Sequence, residues 1–179
     1  EGNLKDESQV WAIKLNGEGQ RVLTNEQGLQ RNPAWSPDGE KIAYASGRGF
    51  GAHEIWVMGK DGKNPKKLTQ NTNSYDILPE FSPDGERIAF VTDRSGNFDI
   101  WVMDKNGGFP KNRTKNNALD TKPVFSPDGK EIVFTSTRSG SLQIWIMRCD
   151  GSAPRQITDG KSEYQDAAWA RIKTELKTE

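Results

Sequence analysis

Short apolar stretches recur along this chain, and polar turn residues separate them. Each of four stretches carries a tryptophan, and Trp11, Trp56, Trp101 and Trp145 recur at intervals of 44 or 45 residues. Around them, aromatic and β-branched residues stand next to one another instead of alternating with polar ones, and no run has the helical period. The pattern predicts β-strands that are covered on both sides and arranged in a repeat.

The sequence Ser-Pro-Asp-Gly occurs three times, each time directly after an aromatic residue. Proline suits the second position of a type I turn, aspartate the third, and glycine the left-handed position that leads into the next strand. Each copy therefore predicts the tip of a β-hairpin and not a catalytic motif. The motifs occupy 36–39, 82–85 and 126–129, with aspartates Asp38, Asp84 and Asp128 and preceding aromatics Trp35, Phe81 and Phe125.

A second turn, Asn-Gly or Asp-Gly, follows every tryptophan stretch. With the remaining β-rich runs, each period predicts four antiparallel strands of about five or six residues, which is a β-propeller blade. Because blades stack face to face, we expect the tryptophans to pack between them. The predicted division is the last two strands of a partial blade at 1–31, blades at 32–72, 73–117 and 118–160, and a single first strand with a charged tail at 161–179.

The predicted fold class is all-β, a propeller with about three complete blades plus parts of a fourth. The last predicted strand, around Trp169, has alanines where the repeat has proline and serine, and no hairpin turn follows it. One strand of the fourth blade is therefore missing, and unpaired strand edges seek partners. We expect a fragment of a larger propeller, or a ring completed by a second copy of the chain, in preference to closure by a single chain.

Charge and composition narrow the range of functions. The 25 basic and 25 acidic residues cancel, so no overall field attracts nucleic acid or an anionic membrane. No apolar run approaches the ~20 residues of a membrane span, and Cys149 has no second cysteine to pair with. His53 is the only histidine, which excludes a multi-histidine metal centre and leaves a Ser-His-Asp triad dependent on one residue. We predict no enzyme activity, no cofactor and no metal.

The combined pattern of aromatic-Ser-Pro-Asp-Gly, Ile-Ala-aromatic, Ile-Trp-Val-Met, Asp-Gly and Leu-Thr resembles the TolB-type WD-like β-propeller repeat, from about Gln9 to Trp169. The resemblance implies a module found in the periplasmic TolB protein of the Tol-Pal system and in the non-catalytic propellers of dipeptidyl-peptidase-like and tricorn-like proteases. It implies a periplasmic or extracellular location, while the residues alone leave a cytoplasmic one open. We find no counterpart of TolB's separate N-terminal domain, which argues against a full TolB role.

Binding is predicted at the end of the propeller where the loops differ, because the hairpin turns at the other end repeat. This variable-loop face holds the connections between blades and the loops between the second and third strands. Its tyrosines and arginines suit a protein or peptide partner, and a solvated rim is the alternative. The candidate partner-binding residues are Arg31, Phe50, His53, Tyr75, Asp76, Asp120, Tyr164 and Asp166. An alternative function is a propeller domain of a larger enzyme, as a peptidase gating domain or a hydrolase or lyase.

Two further polar patterns lie on the variable-loop face. Arg48, Arg94 and Arg138 recur in register, which favours ion pairs or carbonyl contacts inside each blade over a ligand site. The alternating oxygen-bearing residues at 93–99 resemble a calcium loop, but the equivalent residues at 137–143 lack the carboxylates. The sequence therefore favours a structural role for both patterns.

Overall fold

The computed structural model of the chain describes residues 8–47, 51–70 and 73–170. Within these residues every regular element is a β-strand, which confirms the all-β prediction. The strands form a two-stranded ribbon, here called the half-blade, and three four-stranded sheets, blades 1, 2 and 3. The half-blade has β1 (Trp11–Ala12) and β2 (Arg21–Val22); blade 1 has β3 (Leu29–Trp35), β4 (Lys41–Gly47), β5 (His53–Gly59) and β6 (Lys66–Lys67); blade 2 has β7 (Asp76–Phe81), β8 (Arg87–Thr92), β9 (Asp99–Asp104) and β10 (Lys111–Asn112); blade 3 has β11 (Asp120–Phe125), β12 (Glu131–Ser136), β13 (Gln143–Arg148) and β14 (Arg155–Gln156).

Each blade is an antiparallel meander whose strands lie in chain order. The first three strands of a blade have six or seven residues, but β6, β10 and β14 have two each, fewer than the sequence predicts. These fourth strands lie at the outer edge with a single neighbouring strand, where strands are commonly short. Blade 1 also begins at Leu29, ahead of the predicted boundary at 32, because 29–31 pair with 45–47.

The Ser-Pro-Asp-Gly motifs form the predicted hairpin tips between first and second strands. In the first copy, Gly39 has a φ of 71° and its N–H donates to the Ser36 carbonyl oxygen over 2.9 Å. The Ser36 hydroxyl donates to Asp38 Oδ1 over 2.5 Å, and the Glu40 N–H donates to the same oxygen over 3.0 Å. Because both bonds favour the ionised form, they hold the pKa of Asp38 below its usual value.

Hydrophobic layers fill the spaces between neighbouring blades. Between blades 1 and 2, for example, Ala43 and Ile55 pack with Phe90 and Met103. Trp56, Trp101 and Trp145 each lie half-buried against the layer shared with the preceding blade. The structure therefore confirms their predicted place between blades.

The two tryptophans beside the half-blade are more exposed than the repeat predicts. Trp11 is 56% exposed and Trp35 is 53% exposed, whereas Phe81 and Phe125, which are equivalent to Trp35, are buried. The described residues supply only the third and fourth strands of the half-blade. The side of Trp35 that a first and second strand would cover is therefore open.

The predicted strand around Trp169 is not a strand in the structure, and the segment 163–170 contains no β-ladder. It packs on blade 3 instead, where Trp169 contacts the layer that contains Ile144 and Ile146. The Trp169 Nε1–H donates to the Val124 carbonyl oxygen over 3.2 Å. A ladder needs a second strand, and the described residues provide none beside this segment.

Candidate functional site: the central channel and the variable-loop face

The first strands of the blades meet at the centre of the molecule. Strand β3 contacts β7, and β7 contacts β11. Together with the segment 163–170 these strands line an open cavity of about 480 Å³, here called the central channel. Each contributes equivalent repeat positions to the channel wall.

Each first strand has a β-bulge where it lines the channel. The bulged residue is left-handed, with φ of 52° to 54° at Asn32, Leu78 and Lys122, and it precedes a proline that has no N–H to pair. Asp166 has the equivalent conformation, with φ of 60°, although alanine follows it. Left-handed non-glycine residues cost on the order of 1 kcal/mol and occur where surrounding structure enforces them. The fold therefore holds the same bulge in the three first strands and the same left-handed backbone at Asp166.

Four different polar side chains occupy the channel wall: Asn32, Glu80, Lys122 and Asp166. Lys122 forms an ion pair with the Asp166 carboxylate, and its Nζ lies 3.5 Å from Gln165 Oε1. Burial raises the pKa of Glu80 above its usual value, because the carboxylate loses hydration. The wall thus combines the Lys122–Asp166 ion pair with the separate, desolvated carboxyl group of Glu80.

Replacing Glu80 with glutamine should remove the loss of stability that ionisation of this carboxyl group causes as the pH rises. The folded chain holds the Glu80 proton to a higher pH than the unfolded chain does, so this group lowers stability as the pH rises above its usual pKa of 4.5. The stability of Glu80→Gln relative to wild type should therefore rise from about pH 4 to about pH 7. Urea denaturation across this range measures the difference, and a difference independent of pH would contradict the assignment.

The predicted partner-binding residues divide into exposed and buried groups. Arg31 and Asp166 are exposed, and Asp166 lies in the channel wall. Tyr75 and Tyr164 are half-buried. Phe50 lies outside the described residues. Of the described candidates, only Arg31 and Asp166 are exposed, and Asp166 is already paired with Lys122.

The prediction that Asp76 and Asp120 bind a partner requires a correction, because both side chains are completely buried in the structure. Arg94 Nη2 lies 2.7 Å from Asp76 Oδ2, and Arg138 Nη2 lies 3.0 Å from both carboxylate oxygens of Asp120. The expected ion pair inside the blade is thus confirmed in blades 2 and 3, while Arg48 lies outside the described residues. A carboxylate turned inward to an arginine is not a surface contact for a partner.

His53 is also buried, at 2% exposure, and not open on the variable-loop face. Its Nδ1 lies 2.9 Å from the Gly51 carbonyl oxygen, which can only accept, so Nδ1 donates. The ring stacks on Tyr75 with 5.4 Å between centroids, and burial lowers the pKa of His53. These contacts fit a neutral packing residue.

The oxygen-bearing residues at 93–99 bond to protein groups. Asp93 Oδ1 accepts the Tyr75 N–H over 2.8 Å, and Asp99 accepts the hydroxyls of Ser95 and Thr114 over 2.6 and 2.9 Å. In the part of the chain that the structure describes, no group of three or more His, Cys, Asp or Glu side chains could hold a metal ion. The 93–99 loop is therefore held by hydrogen bonds within its own blade, and Asn97 Nδ2 also donates to the Ala118 carbonyl oxygen ahead of blade 3 over 2.6 Å.

Sequence reasoning did not predict Asn32, Glu80 and Lys122 as candidate site residues. The available signal was the proline two residues before each aromatic, at Pro33, Pro79 and Pro123. A recurrent proline inside a strand marks a bulge or an edge. It does not show that the three bulges surround one channel.

The fold and the channel define a β-propeller module made of WD-like repeats whose first strands surround a central channel. The family model for PD40, the TolB beta propeller domain, matches residues 67–176, which is more than half of the chain. This chain belongs to that family.

The sequence comparisons agree with this assignment, and the structure comparisons agree with the propeller fold. The Tol-Pal system protein TolB of Anaeromyxobacter dehalogenans is 33% identical over 107 residues, or 59% of this chain and 24% of the relative. The chain thus spans about a quarter of the length of the curated relatives it matches first. The crystal structure of TolB from Acinetobacter baumannii superposes with a TM-score of 0.72 and 24% identity, over 84% of this chain and 37% of that one.

A puromycin hydrolase superposes equally well, with a TM-score of 0.72, over 86% of this chain and 26% of that one. Its sequence identity is 16%, so this likeness shows the fold alone. The described part of the chain contains no helix that is long and apolar enough to cross a membrane.

Proposed function

We propose that this chain is a non-catalytic, TolB-like propeller module that binds a protein or peptide partner through the variable-loop face and the adjoining central channel. The observation that carries the proposal is the channel wall. The same left-handed position recurs in the three first strands and in the segment 163–170, yet its side chains are asparagine, leucine, lysine and aspartate. A uniform, rigid backbone that presents different groups suits specific recognition.

The surroundings of the reactive side chains support a binding role over catalysis. His53 is buried against Tyr75 and bonded to a backbone carbonyl. Cys149 donates to the Gly129 carbonyl oxygen over 2.9 Å, and burial raises its pKa, which disfavours the nucleophilic thiolate. Arg87 lies beside the Cys149 thiol, but burial outweighs its effect on the pKa. His53 Nε2 has no hydrogen-bond partner among the described residues, so no third group orients this ring as a base.

The relatives suggest the kind of partner and its location. Since the curated relatives are Tol-Pal system proteins, we propose a protein of that system as the partner and the periplasm as the location. The charged channel wall, with Lys122 paired to Asp166 and Glu80 elsewhere on the same wall, would contact polar groups of the partner. Because the chain spans about a quarter of these relatives, the proposal concerns this section of propeller.

The test uses purified Pal, the other component named in the Tol-Pal system. Exchanging the charges of the Lys122–Asp166 pair should weaken the binding of Pal to this chain. The double variant Lys122→Glu, Asp166→Lys keeps an opposite-charge pair on the exposed channel wall but reverses its direction. We expect the Kd measured by calorimetry to rise at least ~10-fold, which corresponds to about 1.4 kcal/mol. The matched control is the double variant Glu86→Lys, Lys105→Glu, which exchanges an exposed pair 2.7 Å apart at the hairpin-turn end. Equal affinities for both double variants, or no binding of Pal by wild type, would contradict the proposal.

A further inference from the structure

The residue that directly follows each fourth strand packs against the next blade. After β2 and β6 this residue is a leucine, and Leu23 and Leu68 are each 8% exposed. Both lie in the hydrophobic layers that join their sheets to the following blade. After β10 the equivalent residue is Arg113, which is half-buried. A charged side chain thus occupies a position that packs between blades elsewhere.

The backbone of Arg113 keeps the geometry of the repeat. A Cβ atom at Gly151, in the next blade, would lie 2.5 Å from the Arg113 carbonyl oxygen. The same distance separates the Cβ position of Gly62 from the Leu23 carbonyl oxygen. The change from leucine to arginine therefore alters the side chain and not the course of the chain.

The guanidinium of Arg113 is only partly satisfied. Its Nη1 donates to the Asp150 carbonyl oxygen over 3.1 Å, and its Nε is shielded from solvent without a hydrogen-bond partner in the described residues. No carboxylate of residues 8–47, 51–70 and 73–170 forms an ion pair with it. Because a shielded N–H without an acceptor costs free energy, packing between blades does not account for the arginine.

Arg113 lines an open groove of about 570 Å³ at the outer rim between blades 2 and 3, here called the rim groove. Lys111 and Lys115 line it too, and neither has an ion pair within the described ranges. The acidic residue of the wall is Asp150, whose carboxylate accepts the Ser152 N–H over 2.8 Å. Three cationic residues against one carboxylate give the groove a local excess of positive charge.

Hydrogen bonds fix the segment that carries these cations. Asn112 Oδ1 accepts the N–H groups of Thr114 and Lys115, each over 3.0 Å. Asn112 Nδ2 donates to Asp99 Oδ2 over 2.7 Å, which ties the segment to β9. The backbone that presents the charges is therefore held in place before a ligand arrives, which favours binding.

The equivalent position of blade 1 is neutralised within the blade. There Lys67 pairs with the Glu54 carboxylate and lies over the Trp56 ring, 5.8 Å from its centroid. Blade 2 has the uncharged Asn112 in place of this lysine, and Trp101 contributes to the wall of the rim groove. The positive charge of blade 2 thus lies on either side of this position, where it has no carboxylate of its own.

We infer that the rim groove binds an acidic segment of a partner protein, with a carboxylate on Arg113 and further carboxylates near Lys111 and Lys115. A guanidinium is planar, and its fork of N–H groups matches the geometry of a carboxylate. The two lysines favour a segment with several acidic residues over a single anion. The groove lies at the outer rim and not in the central channel, so this inference goes beyond the proposed function and does not depend on it.

The charge of the chain as a whole favours protein over nucleic acid as the partner. Nucleic acid carries a long row of phosphates, and its binding relies on many cations along an extended surface. Here 25 basic residues are balanced by 25 acidic ones, and the excess of charge is confined to one groove. A short acidic segment needs no wider positive field.

Fluorescence anisotropy with a labelled hexaglutamate peptide tests the inference. Wild type should bind the peptide, and added salt should weaken binding because it screens the charges. Arg113→Leu introduces the residue that the half-blade and blade 1 have at this position, and it should raise the Kd at least ~10-fold. The matched control is Lys66→Leu, which removes the same charge from the exposed blade 1 equivalent of Lys111 and should change the Kd by less than ~2-fold.

A second variant weakens the site without a change between the blades. Lys111 and Lys115 are exposed, so the double variant Lys111→Ala, Lys115→Ala should fold as wild type does and also bind hexaglutamate more weakly. Chemical denaturation should show that Arg113→Leu is no less stable than wild type, because leucine suits the layer between blades. An arginine that served only to bond the Asp150 carbonyl oxygen would give the opposite result, a loss of stability with unchanged affinity.

Four results would overturn the inference. They are wild type that does not bind hexaglutamate, an equal loss of affinity in Arg113→Leu and Lys66→Leu, unchanged affinity in the double lysine variant, and equal binding of a hexaglutamine peptide. Equally tight binding of a thymidine hexanucleotide would identify a phosphate site and would also contradict the assignment to an acidic protein segment.

Discussion

Replacing Arg138 with alanine should lower the free energy of unfolding by about 3–5 kcal/mol, the range for removal of one partner from a buried ion pair. The guanidinium contacts both oxygens of the fully buried Asp120 carboxylate. It also lies over the rings of Phe134 and Trp145, 5.1 and 4.8 Å from their centroids. Its loss would leave a buried carboxylate with the Asn116 amide as its remaining side-chain partner in the described residues.

Urea denaturation followed by tryptophan fluorescence measures this loss. Lys105→Ala is the matched control, because Lys105 forms an ion pair with Glu86 in which both side chains are exposed. We expect this control to change stability by about 0–1 kcal/mol. If Arg138→Ala were as mild as Lys105→Ala, the arginine would not be needed to hold the blade together.

Gly107→Ala should destabilise the chain by about 2–4 kcal/mol, combining backbone strain with a clash between blades. Gly107 has a φ of 92°, which alanine rarely adopts. Its new Cβ would also lie 2.4 Å from the Leu68 carbonyl oxygen of blade 1. Blade 2 would have to move away from blade 1 and loosen the layer between them.

Gly17→Ala separates these two contributions, because Gly17 has a similar φ of 83° with no atom near its Cβ position. We expect it to cost about 1 kcal/mol from backbone strain alone. Chemical denaturation of both variants, at a concentration where wild type is a single species, gives the difference. If both variants lost the same free energy of unfolding, the clash between the blades would contribute nothing to the effect of Gly107→Ala.

The fold could be predicted from the sequence because each repeat is a local unit. A strand, a Ser-Pro-Asp-Gly turn and a second strand specify a hairpin from neighbouring residues, and the hydrogen bonds of Asp38 confirm that reading. Repetition then specifies the stacking, since one blade cannot bury both of its faces alone. The place of Trp101 between blades followed from the same reasoning.

The candidate site could be predicted only in part, because side-chain exposure depends on residues far away in the chain. The sequence places Asp76 and Asp120 in inter-blade connections, where side chains are usually exposed. In the structure they begin strands β7 and β11, and an arginine 18 residues later pairs with each buried carboxylate. The ring of His53 is likewise covered by a distant residue, because it stacks on Tyr75. In contrast, the place of Asp166 in an inter-blade connection predicts an accessible residue, and Asp166 lies exposed in the channel wall.

By itself the sequence determined the first three strands of each blade, the hairpin turns, the repeat and the family, because these depend on residue types at short spacing. The tertiary structure alone decided that Asn32, Glu80, Lys122 and Asp166 share one channel, since the bulges converge only when the blades stack around a common centre. It also decided that Ile13 and Ile157 are exposed while Met58 and Leu68, at equivalent repeat positions, are buried. A repeat specifies the contact that each blade makes, and the arrangement of blades in space determines which contacts have a partner.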